Sequence, residues 1–284
     1  MNYNISSSTF QHPLLKPILE KLNRYFSKKR IRFYVIGAMA RDIIMSLHGE
    51  KARRATQDLD IAIAIPDWSK YKMVEEGILK IEGFEKDTSQ KQRFMYEGIF
   101  IVDIVPFGDI MKEDDKIFWP PDETVAMTVL GFEEVQKATK KVNIDNDFTI
   151  EVASLDGVFV LKLVAWNDRN INSKKDADDM AFIIANYLSI NEERAATDHY
   201  ANIYMDDNFN TNTAGAKLLG IDVSNLLKGS PQTKEKLANI LKTEIAKKED
   251  SRLINQMLET HKGLKYEEVY NCLEYFIDGI NVAD

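Results

Sequence analysis

The chain has only one cysteine, and its histidines are not spaced as metal ligands usually are. The single cysteine, Cys272, excludes an internal disulfide and suits a reducing compartment, so we expect a cytoplasmic protein. The chain has four histidines, and they are His12, His48, His199 and His261. Their spacing matches no common ligand pattern, which argues against a zinc site.

Long apolar runs and targeting signals are missing as well. No apolar stretch approaches the roughly 20 residues that cross a bilayer, so no membrane contact is expected. Residues 1–11 are polar and lack the basic-then-apolar order of a signal peptide. The 284 residues contain no internal repeat, and 44% of them are hydrophobic. This is enough for one large domain or two medium ones with a real core.

An excess of positive charge is also lacking. The formal net charge is −8, which disfavours general binding of phosphate backbones because their repulsion must be overcome locally. Two basic clusters remain, one at Lys51, Arg53 and Arg54 and one at residues 234–248, where acids interrupt it. A nucleic-acid substrate held by a local patch therefore stays open.

The periodicity of apolar residues changes after about residue 154. Earlier, helical patterns alternate with β-branched and aromatic runs that predict strands at 31–36, 59–65, 93–96, 99–105, 125–134 and 148–152. Later, only helical patterns occur, at 155–166, 177–188, 218–227, 234–253 and 266–277. We therefore predict an α+β fold with a mixed-sheet domain over residues 1–153 and an all-α domain over residues 154–284.

A glycine stands between a predicted strand and a predicted helix. Gly37 and Ala38 follow the strand that ends at Ile36. The free N–H groups and positive dipole end of a helix N-terminus attract phosphate, and glycine lets it approach the backbone closely. Taken alone, a simple strand-to-helix turn is the preferred explanation of the motif.

Three aspartates occupy strands in a pattern typical of metal sites. Asp58 and Asp60 are two residues apart at the start of a strand, so both carboxylates point to one face. Asp103 interrupts the apolar run of residues 100–105, where an unpaired carboxylate is costly to bury. The alternatives are a solvated acid pair and an Asp103 that faces solvent on an edge strand.

Together these features predict a two-metal site for phosphoryl transfer. Carboxylates that converge repel one another unless a cation lies between them, and magnesium prefers such oxygen ligands. If the strand of Asp103 lies beside that of Asp60, all three acids reach the same ions, because neighbouring strands are about 4.8 Å apart. Such ions lower the pKa of an attacking hydroxyl and neutralise charge on the transferred group.

Residues 37–42 (GAMARD) and 56–60 (TQDLD) resemble the signature of the DNA polymerase β-like nucleotidyltransferases. The pattern is most similar to CCA-adding enzymes and to stand-alone AbiEii-type (type IV) toxins. Ala38 stands where this family usually has glycine or serine, but its backbone N–H remains. The resemblance implies a polymerase β-like palm, two Mg²⁺ ions or Mn²⁺, and Asp58, Asp60 and Asp103 as catalytic and metal-binding residues. It also implies that Gly37, Ala38 and Arg41 bind a nucleoside triphosphate such as ATP, although a local surface role with Asp42 explains Arg41 equally well.

The second half carries a further pattern of the same family. Lys162 and Arg169, seven residues apart, resemble a lysine and arginine that face the triphosphate in AbiEii-like transferases. Asp176 and Asp179 follow in the pattern, and each pair shares one helical face. A surface lysine and acids at a helix start are the alternatives, and the role of the two acids stays open.

The resemblance implies transfer of a nucleoside monophosphate to a hydroxyl acceptor with release of pyrophosphate. Three acceptor classes remain, namely an RNA or tRNA end, a protein side chain, and a small molecule such as an aminoglycoside. A toxin would also need an antitoxin protein as partner. The rival from another class is a non-catalytic nucleotide-binding protein on the same fold, which the presence of all three aspartates argues against.

Overall fold

The structure is a computed structural model that describes residues 2–50, 56, 58–206, 209–261 and 263–282. The chain divides into two compact units, Met1–Val158 and Phe159–Asp284. The division falls inside the helix Leu155–Arg169, which begins just after the predicted boundary at residue 153.

The first unit combines strands with four α-helices in its described residues. The strands are β1 (Asn2–Ile5), β2 (Phe33–Ile36), β3 (Asp58–Ala64), β4 (Phe84–Lys86), β5 (Arg93–Tyr96), β6 (Phe100–Phe107), β7 (Lys116–Phe118), β8 (Ala126–Thr128), β9 (Lys140–Ile144) and β10 (Phe148–Val152). The helices are α1 (Leu15–Lys29), α2 (Gly37–Leu47), α3 (Trp68–Ile78) and α4 (Phe132–Lys137).

Eight of these strands form one mixed sheet in the order β1-β9-β10-β2-β3-β6-β5-β4, and β7 pairs with β8 separately. Strand β3 lies near the middle, antiparallel to β2 and parallel to β6. Its Leu59, Ile61 and Ile63 are fully buried, as expected for a central strand. The sheet thus holds the predicted carboxylate strands β3 and β6 side by side.

The strand predicted at 125–134 is wrong for most of its length. Only Ala126–Thr128 is extended, and Phe132 begins helix α4. Gly131 adopts φ 85° just before that helix, and Glu133 and Glu134 lie in its first turn. A left-handed glycine ends extended structure, and acids at a helix start offset its dipole, so local signals outweighed the apolar pattern.

The second unit contains helices and no strand among its described residues. Its helices are the main part of α5 (Leu155–Arg169), then α6 (Lys175–Ile190), α7 (Glu192–Thr197), α8 (Tyr200–Ile203), α9 (Thr211–Leu226), α10 (Pro231–Ala246), α11 (Arg252–Thr260) and α12 (Tyr266–Val282). The predicted α+β class followed by an all-α part is confirmed. Among the described helices, none has the length and apolar character required to span a bilayer.

Helices α9 and α12 pack with their backbones in close contact through two glycines. A Cβ on Gly220 would lie 2.1 Å from the carbonyl oxygen of Phe276. A Cβ on Gly279 would lie 2.1 Å from the carbonyl oxygen of Lys217. Backbone atoms cannot move aside as a flexible side chain can, so only glycine fits at this crossing.

We expect Gly279→Ala to lower the free energy of unfolding by about 1–3 kcal/mol, because the added methyl group forces the two helices apart. Gly229→Ala is the matched control, since a Cβ there meets no atom within 4 Å. Urea unfolding of both variants measures the difference. Equal stability of the two variants would contradict the close crossing.

Candidate active site

The turn between β2 and α2 places a glycine against a carboxylate. Gly37 has φ 69°, a conformation that side chains with a Cβ rarely adopt. A Cβ at this position would lie 2.3 Å from Oδ2 of Asp60. The carboxylate of Asp60 therefore packs directly on the first residue of the helix, in space that only glycine leaves free.

The three predicted aspartates lie on neighbouring strands. Asp58 and Asp60 share one face of β3, because alternate residues of a strand point the same way. In the parallel pair of β3 and β6, Asp60 is the register partner of Asp103. Register partners face the same side of a sheet, at a strand spacing of about 4.8 Å. The sequence analysis predicted a shared site on the condition that the strands of Asp60 and Asp103 are neighbours, and this adjacency is confirmed.

Asp103 has a partner that the sequence analysis missed. Arg93 on β5 is its register partner on the other side. The guanidinium donates from Nε to Oδ1 at 2.9 Å and from Nη2 to Oδ2 at 2.8 Å. These bonds raise the pKa of Arg93 above its ordinary value, although partial burial opposes the rise. Strand β6 lies between β3 and β5, so the edge-strand alternative for Asp103 is wrong.

The donor set fits a divalent cation in its chemistry. Asp58, Asp60 and Asp103 offer only carboxylate oxygens, the ligands that magnesium prefers. In the conformation described here, both oxygens of Asp103 are bonded to Arg93. Within the described ranges, no cluster of three acidic, histidine or cysteine side chains is arranged to hold a metal ion. Each carboxylate oxygen has two lone pairs, so these two bonds occupy one acceptor position on each oxygen of Asp103.

Arg41 and Thr56 converge on the carboxylate of Asp42. Arg41 is only 1% exposed, and its Nη2 lies 2.6 Å from Oδ1 of Asp42. Thr56 donates its hydroxyl to Oδ2 of Asp42 at 2.9 Å. This buried network excludes a surface role for Arg41 and ties the residues before β3 to helix α2. The predicted contact of Arg41 with nucleotide stays a prediction, and Lys51, Arg53 and Arg54 lie outside the described residues.

Lys162 and Arg169 meet two buried acids inside the second unit. Lys162 Nζ lies 3.1 Å from Oδ1 of Asp176 and 2.7 Å from Oδ2 of Asp179, both of which are fully buried. Arg169 donates from Nε and Nη2 to the two oxygens of Asp176, at 2.7 and 2.9 Å. Lys162 and Arg169 together balance the two negative charges, which accounts for the burial of the lysine without a phosphate. The predicted contacts of Lys162 and Arg169 with nucleotide stay predictions.

The carboxyl of Asp176 titrates abnormally in this cluster. Burial alone would raise its pKa, but the hydrogen bond from Arg169 and the charge of Lys162 outweigh burial and hold the pKa below its ordinary value. A folded-state pKa below the unfolded value stabilises the protein above the unfolded pKa. That stability is lost as the pH falls through the folded pKa.

We expect Lys162→Met to lower the free energy of unfolding at pH 7 by about 3 kcal/mol, because an ammonium is removed from two buried carboxylates. The deficit should shrink towards pH 3.5, where the carboxylates of the variant can take up protons. Lys174→Met is the control, since Lys174 forms an exposed ion pair with Glu259. Urea unfolding of both variants at the two pH values measures the loss of stability. An equal loss in the two variants would contradict the account.

Comparison with known proteins identifies the family. The family model described as "Nucleotidyl transferase AbiEii toxin, Type IV TA system" matches residues 20–270 of the chain. This match covers most of both units, including every candidate residue above. At the level of whole sequences, no curated protein matches.

Solved structures show weaker similarity. A crystal structure of ANT(2")-Ia in complex with adenylyl-2"-tobramycin is 11% identical, with a TM-score of 0.38 over 65% of this chain and 98% of that one. A CCA-adding enzyme in complex with CTP is 13% identical, with a TM-score of 0.29 over 93% and 79%. The Thermotoga maritima CCA-adding enzyme with tRNA is 12% identical, with a TM-score of 0.25 over 96% and 82%.

These TM-scores are low, so the assignment depends on the family match. That match and the polymerase β-like order of glycine turn, Asp-x-Asp strand and later aspartate agree. The chain belongs to the AbiEii family of type IV toxin–antitoxin systems and is a nucleotidyltransferase.

Proposed function

We propose that the protein transfers a nucleoside monophosphate from a nucleoside triphosphate to a hydroxyl acceptor, with release of pyrophosphate, and that an RNA end is the first acceptor to test. The observation that carries this proposal is the register of β3 and β6, which sets Asp60 beside Asp103 while Asp60 also packs on Gly37. Carboxylates and the start of a helix thus meet at one point of the sheet. Phosphoryl transfer needs both, since the acids hold cations and the helix start attracts phosphate.

Asp58, Asp60 and Asp103 are the residues that would hold divalent cations. Bound Mg²⁺ or Mn²⁺ would offset negative charge on the triphosphate and favour deprotonation of the acceptor hydroxyl. The backbone N–H groups of Gly37 and Ala38 would bind the triphosphate at the start of α2. Asp103 would accept the proton of the acceptor hydroxyl as it attacks.

Arg93 supplies positive charge beside the aspartates of β3 and β6. Two carboxylates at neighbouring register positions repel each other, and the guanidinium at Asp103 offsets part of that repulsion. A guanidinium bonded to both oxygens of Asp103 competes with a cation for the same carboxylate. Binding of the metal-bound triphosphate would therefore exchange Arg93 for a cation at Asp103.

The acceptor and the antitoxin are the finer parts of this proposal. Membership of a type IV toxin–antitoxin family supports an antitoxin protein as partner. Incubation with labelled triphosphates, total RNA and lysate separates the acceptor classes, because the label appears on RNA, protein or a small molecule. Binding of triphosphate with no transfer to any acceptor would favour the non-catalytic rival.

Asp60→Asn should reduce transfer at least about 100-fold and leave the fold intact, because the amide cannot supply the charge that holds a cation. Asp109→Asn is the control, since Asp109 is an exposed acid of the same unit. Transfer of label from each triphosphate with Mg²⁺ measures the effect, and circular dichroism checks the fold. Full activity of Asp60→Asn would refute the proposed site.

Gly37→Ala should reduce transfer about 100-fold, because the new Cβ would displace the Asp60 carboxylate and misplacements near 1 Å are that costly. Gly49→Ala separates this clash from backbone strain. Gly49 also has a positive φ, 79°, but a Cβ there meets no atom within 4 Å. The Gly49→Ala variant should lose about 1–2 kcal/mol of stability and keep its transfer activity. Equal activity of the two variants would count against the contact.

A further inference from the structure

A second cleft lies in the first unit, outside the candidate active site. It has a volume of about 390 Å³, within the range of small-ligand sites. Its walls include three aromatic residues, Trp68, Tyr71 and Trp119, and three lysines, Lys72, Lys86 and Lys91. Neither the aspartates nor Gly37 belong to these walls.

The aromatic residues of the cleft form one cluster. The ring centroids of Trp68 and Trp119 are 4.9 Å apart, and Tyr71 lies 5.6 Å from the first and 5.2 Å from the second. Trp119 is 2% exposed, and its indole Nε1 has no hydrogen-bond acceptor within the described chain. Tyr71 is also buried, so the half-buried Trp68 is the ring of this cluster that has surface to offer a ligand.

The lysines make the cleft a positive region on an acidic protein. Lys86 is matched by Glu75, whose Oε1 lies 2.6 Å from its Nζ. Lys91 donates to the neutral carbonyl oxygen of Pro120 at 3.3 Å, and Lys72 is exposed. The cleft walls therefore carry about two positive charges beyond the matched pair, which suits an anion.

The cleft also borders the strand of a catalytic candidate. Tyr71 donates its hydroxyl to the carbonyl oxygen of Ile104 at 3.2 Å. Ile104 follows Asp103 on β6. Lys91 lies two residues before Arg93, which is bonded to Asp103. A ligand in the cleft would therefore lie within the same unit as the acceptor end that the site would modify.

We propose that this cleft binds one nucleotide of a single-stranded nucleic acid, with the base against Trp68 of the aromatic cluster and a phosphate near Lys72 and Lys91. Aromatic side chains stack on any base, and lysines beside them follow the charged backbone. The role of the cleft rests on the proposed function, because the cleft would be the place where the acceptor strand binds. A free nucleotide offers the same base and phosphate, so the two sources need separate tests.

Fluorescence anisotropy of a labelled hexauridylate measures binding directly. The full chain is titrated in EDTA, so that a metal-dependent transfer site does not contribute. Lys72→Ala/Lys91→Ala should weaken binding at least about tenfold and lower the salt dependence of log K by about 1. Trp68→Leu should also weaken binding about tenfold through lost stacking. Lys29→Ala/Lys80→Ala, which removes two exposed lysines of the same unit, should change binding less than about twofold.

Uridine monophosphate as competitor distinguishes the two sources. Binding of hexauridylate that the monophosphate does not displace assigns the cleft to a strand, and displacement at equal affinity assigns it to a free nucleotide. The proposal is overturned if the wild type does not bind either probe, or if the lysine and Trp68 variants bind as the control does. A failure of the transfer assay alone would refute the proposed function and leave the binding result in place.

Discussion

The parallel pairing of β3 with β6 is the constraint on which the candidate site depends. It sets Asp60 and Asp103 at the same register level, on strands about 4.8 Å apart. Two carboxylates so placed require a positive charge between or beside them. In this structure Arg93 supplies that charge from the next strand, and in the proposed reaction a divalent cation would take its place. The same pairing thus explains both the Arg93–Asp103 ion pair and the proposed chemistry.

Much of this arrangement could be predicted because its signals are local. The glycine between strand and helix, the alternate aspartates of β3 and the acid inside the apolar run of β6 are visible in the sequence. The adjacency of the strands that carry Asp60 and Asp103 was only assumed, because the order of strands in a sheet depends on tertiary structure and not on local sequence. Arg93 was missed because the strands predicted at 93–96 and 99–105 leave a two-residue loop between them, whereas the loop of the structure has three residues, 97–99. Tyr96 pairs with Phe100, not with Ile99, and this shift sets Arg93 opposite Asp103.

In the second unit, the sequence predicted that helices occur but not where each of them ends. Residues 234–253 read as one helix, but the chain forms α10 and α11 with a break before Ser251. Glu244 is 4% exposed and accepts hydrogen bonds from the Ser251 hydroxyl and the Leu253 N–H, at 2.9 and 3.2 Å. The spacing of apolar residues does not predict hydrogen bonds from a buried acid to residues further along the chain, so the break was missed. The acids at Asp176 and Asp179, left open before, are likewise buried partners of Lys162.

The central claim is that Asp58, Asp60 and Asp103 share a cation beside a bound triphosphate. A crystal structure with Mg²⁺ and a non-hydrolysable nucleoside triphosphate tests it most directly. The account predicts an ion bound by oxygens of these three aspartates, triphosphate at the N–H groups of Gly37 and Ala38, and Arg93 no longer bonded to Asp103. An ion bound elsewhere, with the Arg93–Asp103 pair still intact, would contradict it.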